Sequence, residues 1–187
     1  MAAGEFDCVI AADAGLSHIE RAGFTPDLIV GDFDSLGYVP EGDHVECHPV
    51  HKDESDMELA LRIASERRFE SIVVYGAFGG RLDHTLANLH ICARVAEAGA
   101  DVLMVGIDAC VKILVGPGVY ELPPIPSGTV SVFSAVDESV GVTETGLEYP
   151  LVSATLRNRT TLGLSNELIG KPASVSVERG TLYILHP

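Results

Sequence analysis

The sequence predicts an α/β fold, a parallel doubly wound domain followed by a small β-sandwich. Three observations carry that prediction. The first half alternates strand-like and helix-like segments, the order that builds a parallel sheet. The second half has short strand-like runs separated by Gly and Pro and no convincing amphipathic helix. Acidic residues gather where the first-half strands end.

The elements follow in chain order. DCVIAA (residues 7–12) is a short apolar run, followed by Asp13 and a helical stretch from Leu16 to Ala22 that Gly23 stops. A second apolar run, Asp27 to Val30, leads into GDFDS. Met57, Ala60, Leu61 and Ala64 recur at helical spacing between Ser55 and Arg67, and Ser55 with Glu58 three residues later is a capping-box signature. SIVVYG (71–76) reads as a buried strand and GAFGGR as a glycine turn. The next helix spans about Asp83 to Ala98, with Leu86, Leu89 and Ala93 assigned to its apolar face. His84, Asn88 and Cys92 then form a polar stripe on the opposite face, and a solvated surface is the plainer reading for Cys92. DVLMVG (101–106) closes the alternation, and the domain boundary falls near Gly106, giving domains 1–106 and 107–187. Beyond it come KILV, VYELP, TVSVFS, GVTETG and VSATL, and SVSVERGTLYIL reads as a hairpin turning at Arg179 and Gly180.

Composition narrows the function classes. The 187 residues are 47% hydrophobic and 21% charged, enough aliphatic material for a core and incompatible with intrinsic disorder. Twelve basic against 27 acidic residues give a net charge of −15, which repels phosphate backbones and argues against nucleic-acid binding. A divalent metal can still bridge carboxylate and phosphate. Cys8, Cys47, Cys92 and Cys110 are widely spaced, with no CxxC pair, and read as reduced thiols. No signal peptide or membrane-length apolar run is visible. A cytoplasmic location is expected, with no membrane partner.

In an open parallel sheet the strand C-termini line one rim, where ligands bind. Asp13, Asp32, Asp34, Asp53, Asp56 and Asp83 follow strands or open helices, so several would meet there. Carboxylates that close together repel, and hard oxygen donors in that number suit Mg²⁺ shared with a phosphate. An Asp at a strand end or helix start is also a common cap, and for Asp53 the two readings are equal. For Asp32 and Asp34, a DxD between Gly31 and Ser35, capping is the weaker explanation. GAFGGRLDH lacks the Lys-Ser or Lys-Thr of a Walker loop, but Arg81 offers a planar fork for phosphate and Asp83 opens the next helix.

PDLIVGDFDS, KDESDMELAL, GGRLDHTLANL and GLSNELIG stand in the order found in thiamine pyrophosphokinases. GVTETGLEYPL and VSVERGTLYIL also resemble that family's C-terminal β-domain, so the resemblance runs from about Asp7 to Leu185. It implies transfer of a diphosphate from ATP to the thiamine hydroxyl, releasing AMP, with Mg²⁺ as cofactor and a homodimer whose sites involve both subunits. Position by position it implies Asp32, Asp34 and Asp56 for metal and phosphate. It implies Arg81 and Asp83 for the nucleotide and Ser165 and Asn166 for thiamine; the placement of Asp13, Ser35 and Asn88 beside strand ends and the glycine turn adds them to the expected nucleotide site. Asp13 or Asp83 would orient the hydroxyl. The chain departs from the pattern in starting almost at the AADAG segment, in having Ala14 for a glycine there, and in lacking Trp. The alternatives are a diphosphokinase for another alcohol such as a hydroxymethylpterin, a haloacid-dehalogenase-like phosphatase using the DxD acid, and a non-catalytic thiamine or nucleotide binder.

Overall fold

The computed structural model describes residues 6–33, 38, 42, 45–47, 54–78 and 80–187. They fall into two compact units, Met1–Arg68 and Phe69–Pro187.

The first unit is a three-stranded parallel sheet in the order β1-β2-β3, formed by Ile10–Ala12, Leu28–Gly31 and Val45–Cys47. Period-2 alternation splits its apolar residues between two faces. Ile10, Ala12, Leu28 and Val30 pack against Leu59, Ala60 and Ile63 of helix α2 (Asp56–Glu66). Ala11 and Ile29 pack with Leu16 and Ile19 of α1 (Gly15–Arg21), with Phe33 and with Val45. Covered on both sides, LIVG is buried at every position, as a central parallel strand requires. The capping box holds: the Ser55 hydroxyl accepts from the Glu58 N–H at 3.2 Å and starts α2. The short β3 has no counterpart among the predicted strands.

The second unit is built on a six-stranded sheet ordered β11-β8-β13-β6-β5-β4. Its strands are Ser71–Tyr75 (β4), Asp101–Val105 (β5), Cys110–Val115 (β6), Thr129–Ser134 (β8), Asn166–Glu167 (β11) and Thr181–His186 (β13). A four-stranded antiparallel sheet, β10-β9-β12-β7, uses Leu151–Arg157, Glu138–Thr145, Ala173–Val177 and Gly118–Leu122. Leu122, Val130, Val132, Val142, Val175 and Ile184 are among the buried side chains of the core that both sheets share, which makes this part a β-sandwich. Helix α3 (Leu82–Glu97) packs on β5 and β6. Tyr183 donates its hydroxyl hydrogen to the Leu89 carbonyl at 3.2 Å, and Thr181 does so to Glu97 at 2.6 Å.

Three expectations need correction. The described parallel strands do not form one doubly wound sheet: β4 and β5 are parallel, but β6 joins β5 antiparallel. Only four residues separate β5 from β6, too few for a parallel crossover. Mixed sheets with a β-rich second part are what the chain forms.

The hairpin at Arg179 and Gly180 is instead a corner. β12 pairs with β7 and β9 in one sheet, and β13 pairs with β6 and β8 in the other. Gly180, at φ 109°, passes so close to Ser139 that a Cβ would lie 2.8 Å from its Cα, and this lets the chain change sheets.

The third correction concerns α3. Its buried residues are Asn88, Cys92, Ala93, Val95 and Ala96, while Leu82 and Leu86 are exposed. Asn88 and Cys92 of the polar-looking stripe lie on the inner face, together with Ala93, while His84 is exposed. Asn88 is satisfied there by donating to the Ala77 carbonyl at 3.1 Å, and Cys92 behaves as a small apolar residue whose thiol burial pushes up to about 12.

Candidate functional site

In the first unit, two parallel strands end side by side and each delivers an acid. Asp13 follows β1 with a left-handed backbone, φ 44°, a conformation Asp tolerates better than most residues. Its N–H donates to the Val30 carbonyl at 2.8 Å. Gly31 allows this approach, since a Cβ there would sit 3.2–3.3 Å from the Asp13 N, Cα and Cβ. Asp32 follows β2, and the next residue, Phe33, also has a positive φ, 63°, while its ring is buried. A bulky residue in that region stores backbone strain of about 1–3 kcal/mol. Burial of the ring in the α1-side core offsets it and fixes the bend after Asp32. Asp56 is the first residue of α2, placed by the Ser55 cap.

Asp13, Asp32 and Asp56 each offer a carboxylate oxygen, and the three lie within 4.8 Å of one another. Asp13 Oδ1 is buried with no hydrogen-bond partner. Like charges at that spacing repel, and an orphaned buried carboxylate oxygen is costly. Hard oxygens converging in this way fit a small divalent cation such as Mg²⁺. Asp34 and Ser35, expected beside them, lie outside the described residues, as does Asp53.

In the second unit, Arg81 and Asp83 form a two-point pair at the start of α3, with Nε to Oδ1 at 3.1 Å and Nη2 to Oδ2 at 2.6 Å. Asp83 also accepts from the His84 N–H at 3.0 Å. The guanidinium contact holds the Asp83 carboxyl down at about 2. Both side chains are exposed, and Asp83 occupies the Nε–Nη2 edge of the guanidinium, so the Nη1 side is the one that can meet an anion. Asn88 braces the preceding turn through Ala77.

Ser165 and Asn166 stand at one end of the sandwich. Ser165 has φ 60°, and its N–H donates to the Ser131 hydroxyl at 3.0 Å. Asn166 is buried and fully engaged. Its Oδ1 accepts from the Tyr149 and Glu167 N–H groups at 3.0 and 2.9 Å, and its Nδ2 donates to Glu144 and to the Tyr149 carbonyl, both at 2.7 Å. These four bonds use all the amide offers. Beside them lies a cavity of about 350 Å³, within the range of small-molecule sites. Tyr149, Leu151, Leu164 and Ser165 are among its lining residues, with Glu144. Glu144 was missed by reading the sequence. Its signal was an acid two residues from Val142 on one strand, hence on the inward face.

Comparisons with known proteins agree on one family. A family model described as the thiamin pyrophosphokinase catalytic domain matches residues 3–104, and one described as the vitamin B1 binding domain of thiamin pyrophosphokinase matches residues 120–182. The thiamine pyrophosphokinase of Bacillus subtilis is 28% identical over 184 residues, covering 94% of this chain and 85% of that protein. The crystal structure of the Bacillus subtilis enzyme matches with a TM-score of 0.83 at 27% identity, over 95% of this chain and 86% of that one. That of thiamin pyrophosphokinase from Geobacillus thermodenitrificans matches with 0.82 at 30% identity, over 98% and 87%.

Proposed function

Because the chain belongs to the thiamin pyrophosphokinase family, we propose that it transfers a diphosphate from ATP to the hydroxyl of thiamine, yielding thiamine diphosphate and AMP. The hydroxyl oxygen forms a bond to the β-phosphorus while the bond from that phosphorus to the α-phosphate oxygen breaks. Such a transfer asks for positioning and charge neutralisation more than for covalent help.

The observation that carries the assignment is the convergence of two carboxylates at adjacent parallel strand ends, Asp13 and Asp32, with a third at the first turn of α2, Asp56. Asp32, Asp34 and Asp56 would hold Mg²⁺, with Asp13 beside them. When bound, the ion supplies neutralisation of phosphate charge. Of the two acids considered for orienting the hydroxyl, Asp13 belongs to this carboxylate cluster. Asp83 is paired with Arg81 and aims its guanidinium, which binds the nucleotide. Ser35 and Asn88 complete the nucleotide assignment, Asn88 by fixing the turn that leads to Arg81. Ser165 and the cavity beside it take thiamine, and Asn166 serves that site through the groups it holds, Glu144 and the Tyr149 backbone.

The two family matches support keeping the functional boundary near Gly106. A homodimer in the cytoplasm completes the proposal. Its support is the exposed apolar residues Tyr75, Leu82 and Leu86, and the free thiols of Cys8, Cys92 and Cys110. Among the described residues no helix is long and apolar enough to cross a membrane. Phosphorus NMR of the chain with ATP, Mg²⁺ and thiamine tests the reaction. Equal amounts of AMP and thiamine diphosphate are expected, and ADP as the nucleotide product would contradict diphosphate transfer.

A further inference from the structure

Glu144 lies on β9, and the alternation that turns Val142 inward turns Glu144 inward with it. Its side chain is 0% exposed. One carboxyl oxygen, Oε2, accepts from Asn166 Nδ2 at 2.7 Å. The other, Oε1, is buried without a partner. A buried carboxyl oxygen left unpaired is among the more costly arrangements a core can hold, and burial raises the Glu144 carboxyl above its usual range. The neighbouring amide cannot relieve it, because all four hydrogen-bonding positions of Asn166 are taken.

Glu144 is also one of the residues lining the 350 Å³ cavity, whose other walls include Tyr149, Leu151 and Leu164. Apolar and aromatic walls with one unsatisfied acceptor buried immediately behind them match a flat heteroaromatic ring whose N–H donor reaches that acceptor when the ring seats. Resting on the thiamine assignment above, we propose that Glu144 is a specificity residue for the acceptor, its free oxygen accepting a hydrogen bond from the exocyclic amine of the aminopyrimidine ring. Asn166 is then a positioning residue. It holds Glu144 and the Tyr149 backbone in place and does not itself meet the ligand.

Discrimination should follow the amine. A site that reads a polar group through a buried partner rejects analogues lacking that group more strongly than a purely apolar site does. The test is calorimetric titration of the full chain with thiamine and with the analogue whose exocyclic amine is replaced by a carbonyl oxygen. The wild type is expected to prefer thiamine by about tenfold or more. In Glu144→Gln the side-chain amide can donate to the carbonyl, so the preference should fall by about tenfold. Glu144→Asp keeps the charge but shortens the reach, and should lose thiamine affinity more than analogue affinity. It gives the ratio if the Gln variant does not fold. A wild type that binds both compounds equally, or variants whose ratio equals that of the wild type, overturn the inference while leaving the thiamine assignment standing. Such outcomes would fit a buried water on Oε1 instead. A wild type that binds neither compound defeats both.

Discussion

Two strained residues place the acids of the first unit. Asp13 and Phe33 both have positive φ, and each sits next to a strand end that presents a carboxylate. The missing Cβ of Gly31 leaves room for Asp13, and the ring of Phe33, buried in the α1-side core, holds the strained bend after Asp32. Mutual repulsion in the cluster has a measurable consequence. Asn adopts the left-handed region as readily as Asp, so Asp13→Asn removes charge with little change in backbone. In chelator, this variant should melt above the wild type by about 2–4 °C, corresponding to about 1 kcal/mol. Turnover should fall by about 10²-fold, and Asp32→Asn should lose a similar factor. Near-wild-type turnover at saturating Mg²⁺ in both variants would remove the cluster from the mechanism.

Glu144 gives a pH prediction of definite sign. Its folded carboxyl titrates above its unfolded value because burial penalises the charged form. The stabilising contribution is therefore complete below the unfolded value of about 4.3 and is lost as pH rises through the folded one. The melting temperature of Glu144→Gln, relative to wild type, should climb between pH 4 and pH 8. A flat difference would show that the carboxyl is not penalised by burial. At this scale Asp32 and Asp56 were legible as acids following a strand and opening a helix. Asp13 was legible as an acid of the same rim but not as one of the metal ligands, because its nearness to Asp32 depends on how closely β1 approaches Gly31. Glu144 was illegible, since an inward acid in a β-strand acquires meaning only beside Asn166, 22 residues further on.

At the scale of elements, local rules worked where the signal was local. Ser55 caps α2 and so fixes the position of Asp56 at its first turn. Ser55→Ala should cost about 1 kcal/mol of stability. It should also weaken Mg²⁺-dependent turnover more than an Ala at the exposed Arg94, far along α3. Equal effects would mean that the cap stabilises without positioning. In the first unit β2, α1 and α2 were readable within a residue or two for the same reason, as was α3, whereas β1 begins three residues into its apolar run and the three-residue β3 was not read. Periodicity failed for the burial of α3, because an amide paired with a backbone carbonyl and a lone thiol are both compatible with the interior. It failed again at β12 and β13. A Gly turn between two strands signals a reversal, but whether the strands then pair depends on the sheets around them.

At the scale of the whole molecule, the order of motifs identified the family, while the partition of strands among sheets was not written in any local segment. Which strands become neighbours is decided by long-range pairing. The short β5–β6 connection forces an antiparallel step after the parallel β4–β5 pair, and the pairs that follow in that sheet, β6–β13, β13–β8 and β8–β11, are antiparallel as well. Exposed Tyr75, Leu82 and Leu86 lead to an assembly prediction. Sedimentation at micromolar concentration should give about twice the 19.8 kDa chain mass, and a fully active monomer would reject a site shared between subunits.

We propose that the carboxylates of Asp13, Asp32 and Asp56 and the cavity beside Glu144 serve one acceptor, thiamine. The decisive measurement is AMP release from ATP and Mg²⁺ with thiamine, set against a panel of other primary alcohols that includes a hydroxymethylpterin. Rapid AMP formation is expected with thiamine, and at most a few per cent of that rate with the others. A hydroxymethylpterin turned over as fast as thiamine, or no AMP with thiamine, would contradict it.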